Sequence, residues 1–247
     1  MSQKIENSVA LVTGANRGIG KEFVSELLRR GAKKVYLGAR DPASLADLVA
    51  LDPRRLVALK LDVTNAADIE TAARIATDVT LLINNAGFAG EQGVISAPDL
   101  SIARQEMDVN YFGVLALSKA FAPILAKAEQ GSIVNVLSIL SLLTLPLAGT
   151  YSASKAAGLA ATRSIRAELK GQGTQVVASM PVQVDTDMGR NLPEPRLKPL
   201  EVASETLDGV ENGTEEVFPG ELTRNVITSF RADPVAVQAY MSTRLPA

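Results

Sequence analysis

Ser138, Tyr151 and Lys155 are the residues of this chain best suited to chemistry. Tyr151 stands thirteen positions after Ser138, and Lys155 four after Tyr151. The stretch around Tyr151 has helical character, so a spacing of four puts the phenol and the ammonium on one face. A free phenol ionises near pH ~10 and offers little phenolate at neutral pH. A neighbouring ammonium favours the phenolate and brings the group into range to give or take a proton. Ser138, at the end of an apolar strand, is placed to hydrogen-bond a carbonyl oxygen. These groups suit the reduction of a carbonyl or the oxidation of an alcohol, with the proton passing through tyrosine. Asn110, in a long helical stretch upstream, adds an anchor for a water that relays protons toward Lys155.

Such chemistry needs a hydride carrier, and residues 13–20 have the character of a cradle for one. Gly14, Gly18 and Gly20 lie between an apolar run and a helical pattern, with Asn16, Arg17 and Ile19 among them. Glycines here let the backbone bend sharply and let a pyrophosphate approach, while a helix N-terminus offers free N–H groups. The spacing is G-x-x-x-G-x-G. Arg17 and Arg40 point to a 2′-phosphate and so to NADP(H). Arg40 follows the second strand, and Ala39 stands where an acid would take a ribose 2′-hydroxyl. Asp62, followed by Val63, reads either as an acceptor for the adenine amino group or as a capping acid before Thr64-Asn65. Asn85, Ala86 and Gly87 end the fourth strand, where a small Ala-Gly pair lets a ribose pack on the backbone.

The elements that would position these groups follow one rhythm. Strands are predicted at 9–13, 35–38, 56–63, 79–83, 132–136, 175–180 and 217–219. Helices are predicted at 21–30, 44–51, 66–76, 98–128, 152–170 and 199–211. Pro123 is a candidate kink or break in the longest of these, and Gly171 is placed to end the next. Strands alternating with helices imply an α/β fold, a doubly wound parallel sheet with helices on both faces. Residues 190–199 hold three prolines and read as a mobile part of a substrate loop near 183–200. Asn212-Gly213-Thr214 reads as a turn.

Composition narrows the classes. The chain has 247 residues, a formal net charge of −2 and 47% hydrophobic residues. That length suits one α/β domain over 1–247. The charge leaves no basic field for nucleic acid. No apolar run reaches membrane-span length, and residues 1–8 lack a signal-peptide core, so a cytoplasmic location is expected. There is no Cys, His or Trp. This excludes disulfide and thiol chemistry and argues against a metal site. It leaves acid–base work to Tyr, Lys, Asp and Glu. The missing histidine fits drift and deliberate engineering alike.

Taken together, these motifs resemble the classical short-chain dehydrogenase/reductase family, in a carbonyl-reductase-like form. The match runs over about 9–219 and includes residues 13–20, Asp62, 84–87, Asn110, Ser138, Tyr151 and Lys155. The resemblance implies a Rossmann-like sheet of about seven strands, a nicotinamide cofactor and no metal in the chemistry. It implies Asn110, Ser138, Tyr151 and Lys155 as catalytic residues. It also implies homodimers or homotetramers built on the long helices near 101–128 and 152–170, with Ala153, Ala157, Ala160 and Ala161 as a small-residue face.

One stretch departs from the family pattern. Where the family reads Pro-Gly and then Thr, this chain reads Pro181-Val182-Gln183-Val184-Asp185-Thr186. Thr186 is kept and is placed for the nicotinamide carboxamide, with Pro181 and Val184 beside it in the cofactor set. Val182 adds a branched side chain near the substrate, which is costly if the position needs positive φ. A redesigned pocket and a subgroup preference account for it equally well. Phe88, Ile139, Leu140, Leu145, Val182, Gln183, Met188 and Leu192 make up an apolar substrate cleft. The expected function is NADPH-dependent, reversible reduction of a hydrophobic ketone or aldehyde, with Tyr151 as proton donor. The alternatives are a non-catalytic NADP-binding regulator and an NAD-dependent alcohol dehydrogenase on the same fold. The regulator should have lost Tyr151 or Lys155.

Overall fold

A computed structural model describes residues 3–246 of the chain. Met1, Ser2 and Ala247, which fall within the expected 1–247 domain, lie outside the described residues. The elements run in the order β1 (Val9–Thr13), α1 (Gly18–Arg29), β2 (Lys34–Ala39), α2 (Ala46–Leu51), β3 (Leu56–Lys60), α3 (Ala66–Ile75) and β4 (Leu81–Asn84). Next come α4 (Ser101–Met107), α5 (Gly113–Leu125), β5 (Ser132–Val136), α6 (Gly149–Leu169), β6 (Gln175–Ser179), α7 (Pro199–Glu211), β7 (Glu216–Val217), α8 (Glu221–Ala232) and α9 (Pro234–Ser242).

Seven strands form one parallel sheet in the order β3-β2-β1-β4-β5-β6-β7. The strands are short apolar runs because helices cover both of their faces. Successive side chains alternate between the two faces. Ala10 and Val12 of β1 join Leu81, Ile83 and Val134 against Phe23 and Leu27 of α1 and Leu207 of α7. Val9 and Leu11 join Leu82, Ile133 and Val176 against Phe121 and Leu125 of α5 and Ile69 of α3. The strand order reverses direction between β1 and β4, and in such sheets the crevice beyond the carboxyl ends of those strands takes the ligand.

Several segments differ from the sequence expectation. The third strand ends at Lys60, not Val63, because Asp62 turns the chain: its Oδ1 accepts from the Thr64 N–H and hydroxyl. The helix expected over 98–128 is two α segments joined by a wide π turn at Asp108–Phe112, and it runs through Pro123 to Leu125. Such turns frequently mark functional sites, and this one carries Asn110. In the segment 190–199, expected to be part of a substrate loop, Arg196 collects several contacts. Its guanidinium donates to the carbonyls of Arg190 (2.8 Å) and Gly189 (3.3 Å) and pairs with Glu194. The bridge between Val184 and Leu197 closes that loop. Finally, the last strand is Glu216–Val217, not 217–219. Gly213 does form the expected turn, at φ 73.

Candidate active site

The glycine turn follows from backbone geometry. Gly14 and Gly18 have φ of 62° and 54°, the left-handed region that L side chains avoid. Gly20 is confined instead by close approach: a Cβ there would lie 2.1 Å from the Gly14 carbonyl oxygen. The end of β4 locks the turn in place. Thr13 Oγ1 accepts the backbone N–H groups of Asn85 and Ala86, both at 2.9 Å. Asn85 Nδ2 donates to the carbonyls of Thr13 (2.9 Å) and Gly14 (3.3 Å). Asn85 thus acts on the turn itself, a role its position after β4 did not reveal.

Beside the turn lies an open surface depression of about 520 Å³, lined by Asn16, Arg17, Gly18, Thr186, Asp187 and Arg190 among others. Thr186 leans on the turn, its Cγ2 lying 3.2 Å from where a Gly18 Cβ would stand. Arg17 crosses the mouth to Asp187 at 3.0 Å, and both side chains are largely exposed. An exposed pair of this kind contributes about 0–1 kcal/mol, so an incoming phosphate competes with it readily. Arg40 is exposed one residue past β2. Asp62 serves the Thr64 turn through one oxygen, and Val63 is buried behind it. The turn, the α1 N-terminus and Arg17 fit the phosphates of a dinucleotide.

The catalytic candidates gather at the same edge of the sheet. Tyr151 lies in the first turn of α6 and Lys155 one turn on. Lys155 is buried, its Nζ donates to the Val136 carbonyl at 3.0 Å, and it lies 5.6 Å from the Tyr151 ring centroid. Burial pushes its ammonium down to about 8. Burial also pushes the Tyr151 phenol above its ordinary value. The Glu106 carboxylate adds to that shift, and a hydrogen bond with Ser138 opposes it. Ser138 follows β5 and also accepts the Leu140 N–H at 3.2 Å.

Asn110 is buried in the π turn. Its Oδ1 accepts the Phe88 N–H (2.9 Å), and its Nδ2 donates to the Phe88 carbonyl (2.8 Å) and to Ser154 Oγ (2.9 Å). Both ends of the amide are therefore held by protein. Gly87 leaves the approach to Lys155 open: a Cβ there would lie 3.7 Å from Nζ.

The apolar residues expected around a substrate divide into two groups. Ile139 is buried with Leu143 and Ile227, and Leu140 and Val182 pack half-buried against that cluster. Val184 is buried with Leu197 and Val202. Phe88, Leu145, Gln183 and Leu192 are half-buried, Met188 is exposed and Pro181 is buried. Val182 does not have positive φ, so the feared backbone strain is absent. Sequence reading stopped at 219 and missed α8. Its Thr223 hydroxyl accepts the Val182 N–H at 3.3 Å, and its Ile227, Val226 and Phe230 pack with Ile139, Leu140 and Val182. The i, i+4 spacing of Leu222, Val226 and Phe230 was the signal available.

Residues 8–197 match the family model described as short chain dehydrogenase. The chain belongs to the short-chain dehydrogenase/reductase family. It is 34% identical over 200 residues to dehydrogenase/reductase SDR family member 7B of Xenopus laevis, covering 76% of this chain and 61% of that protein. The chain thus spans about three-fifths of the length of that curated relative. It is 31% identical over 192 residues to 3-oxoacyl-[acyl-carrier-protein] reductase of Synechocystis, covering 74% of this chain and 77% of the relative. Among solved structures, a short-chain dehydrogenase from Burkholderia cenocepacia in complex with NADP is 42% identical. It superposes with a TM-score of 0.91 over 97% of this chain and 99% of that one. No helix among the described residues is long and apolar enough to cross a membrane.

Proposed function

We propose that the chain catalyses NADPH-dependent, reversible reduction of a hydrophobic ketone or aldehyde to its alcohol. The observation that carries this is one helix face presenting Tyr151 and buried Lys155 beside Ser138, at the sheet edge that holds the glycine turn. In this reading the pyrophosphate rests on residues 14–20, and Arg17 and Arg40 take the 2′-phosphate. Asp62 and Val63 border the adenine, Asn85 to Gly87 the ribose, and Pro181, Val184 and Thr186 the nicotinamide end. Bound there, the nicotinamide supplies the hydride. The Ser138 hydroxyl donates to the substrate oxygen and orients it. The Tyr151 hydroxyl gives its proton to that oxygen, and Lys155, tethered to Val136, stabilises the phenolate left behind. Asn110 works by fixing Phe88 and Ser154 around the site. Phe88, Leu140, Val182 and Leu192 supply the apolar wall, with Ile139 behind it.

The NADP complex of the Burkholderia protein supports the cofactor, and the reductase name of the Synechocystis relative supports the direction. Ala39 leaves no acid for a ribose 2′-hydroxyl, which favours NADPH over NADH. The same reading carries a homodimer or homotetramer on the outer faces of α5 and α6. The test is an NADPH-oxidation screen over aryl, aliphatic and cyclic ketones, run beside Tyr151→Phe. Loss of a general acid lowers kcat by at least about a hundredfold, while NADPH affinity stays close to that of the parent. A Tyr151→Phe enzyme keeping more than about a tenth of kcat would contradict the assignment.

A further inference from the structure

The loop that leads from Ser138 to the first turn of α6, where Tyr151 stands, has little regular structure of its own. It holds only short 3₁₀ turns at Ile139–Ser141 and Pro146–Ala148. Backbone groups in such a loop must find partners elsewhere. Those of Thr144 and Leu147 find them at the far end of the chain. Gln238 of α9 holds Thr144 from both sides: its Oε1 accepts the Thr144 N–H and its Nε2 donates to the Thr144 carbonyl, each at 2.9 Å. One side-chain amide thus supplies what a neighbouring strand would offer, and it restrains both peptide planes that flank the Thr144 Cα. Three residues on, the Leu147 N–H donates to the Arg244 carbonyl at 3.1 Å.

The helix that brings Gln238 there is well seated. Pro234 opens α9, and Asp233 caps it by accepting the Ala236 N–H at 2.9 Å. Val237 and Met241, one turn apart, pack half-buried against the cluster of Ile139, Leu143 and Ile227. These apolar contacts already hold α9, so the bonds of Gln238 act on the loop as much as on the helix. Beyond α9 the chain makes a second hold. A Cβ at Gly93 would lie 2.5 Å from Pro246 Cγ and 3.3 Å from the Pro146 carbonyl oxygen. The C-terminal residues, the loop and the segment after β4 therefore meet at Gly93. The residue before it, Gln92, accepts through its carbonyl from Thr150, next to Tyr151.

We propose that α9 and the residues after it form a strap across the Ser138–Tyr151 loop, and that Gln238 is the positioning residue through which the strap holds the substrate side of the site. This deepens the carbonyl-reduction reading and rests on it. Gln238 acts through the loop, which begins at Ser138 and carries Leu140 of the apolar wall. Freed at Thr144, the loop would sample more arrangements, and a bound ketone would have to order it again. The cofactor side is independent of the strap, because the glycine turn is locked by the end of β4.

The experiment compares the parent with Gln238→Leu, Gln238→Glu and Pro246→Gly, using the ketone turned over best in the screen. Gln238→Leu keeps the size of the side chain and loses both bonds; ketone KM should rise about tenfold with NADPH affinity unchanged. Gln238→Glu keeps an acceptor for the Thr144 N–H and should fall between that variant and the parent. Pro246→Gly should raise ketone KM in the same direction by a smaller factor. An unchanged ketone KM in Gln238→Leu, or an NADPH affinity that falls by the same factor as the ketone's, would overturn the proposal. The hold on the loop is also read without substrate: the Thr144 amide should exchange with deuterium at least about tenfold faster in Gln238→Leu. Equal exchange in the two proteins would sink the strap. A parent that turns over no ketone defeats the carbonyl-reduction reading instead, and the exchange result still judges the strap.

Discussion

Lys155 sits dry between the Val136 carbonyl and the Tyr151 ring, and this has a measurable cost. Burial lowers its ammonium to about 8 from 10.5. Below pH 8 the lysine is charged in both folded and unfolded chains, and the burial cost is present in full. Between 8 and 10.5 the unfolded chain holds the extra proton, so stability rises with pH across that window. Relative to Lys155→Met, the parent should gain up to about 3 kcal/mol over it, read by urea denaturation at stepped pH. A difference that falls or stays flat would show that the ammonium is better solvated than this geometry implies. A second expectation at this scale concerns Arg40, which is exposed one residue past β2. In Arg40→Asp, kcat/KM with NADPH should fall at least about tenfold and the NADH value should rise, since a forked charge on a 2′-phosphate is replaced by an acid suited to a hydroxyl. Equal kcat/KM for the two cofactors in the parent would defeat the arginine assignment.

The segment after β6 packs against both α8 and the loop closed at Leu197. Val182 touches two apolar clusters, one with Ile139 and Ile227 and one with Val184 and Val202. It is half-buried, and its N–H is held by Thr223 of α8. Val182→Gly should therefore do two things. Loss of the side chain and of backbone restraint should cost about 1–2 kcal/mol of stability. Removal of two methyl groups from the cleft wall should change the product enantiomer ratio on a bulky ketone by about tenfold, with NADPH affinity little changed. Enantiomer ratio measured beside melting temperature separates the two effects. A lower melting temperature with unchanged selectivity would assign Val182 to the floor of α8 and not to the cleft.

Across the whole molecule, α6 buries one side on the sheet and turns the other outward. Ala153, Ala156 and Ala160 are exposed, Ala157 is half-buried and Ala161 is buried. The four alanines proposed from sequence do not form one outward face; the exposed stripe is shifted to include Ala156. On α5 and the turn before it, Phe112 is more than half exposed. An outward apolar ring beside a stripe of small side chains suits close approach of a second pair of such helices. Light scattering at micromolar concentration should therefore report a dimer or tetramer. Ala156→Arg, which places a charge on that stripe, should shift the mass toward monomer, and a monomeric parent would rule the interface out.

The fold class and the shared helix face of Tyr151 and Lys155 were legible in the sequence because both rest on local rules. Continuous apolar runs between helical patterns announce a doubly covered parallel sheet. Four-residue spacing on a helix fixes Tyr151 and Lys155 on one face, and left-handed or crowded backbone selects Gly14, Gly18 and Gly20. What only the tertiary structure decided are matters of contact between distant segments. Asn85 ties the glycine turn from the end of the neighbouring strand, Arg196 gathers contacts in a proline-rich loop, and the π turn aims Asn110 at Phe88. Glu106 is the plainest case. On paper it is one acid of many near the end of a helix, and nothing in its spacing marks it. Packing removes it from water and sets it against the Gly90 N–H. Burial and neighbours, not residue type, decide what a carboxylate does, and both arise only when the chain is folded.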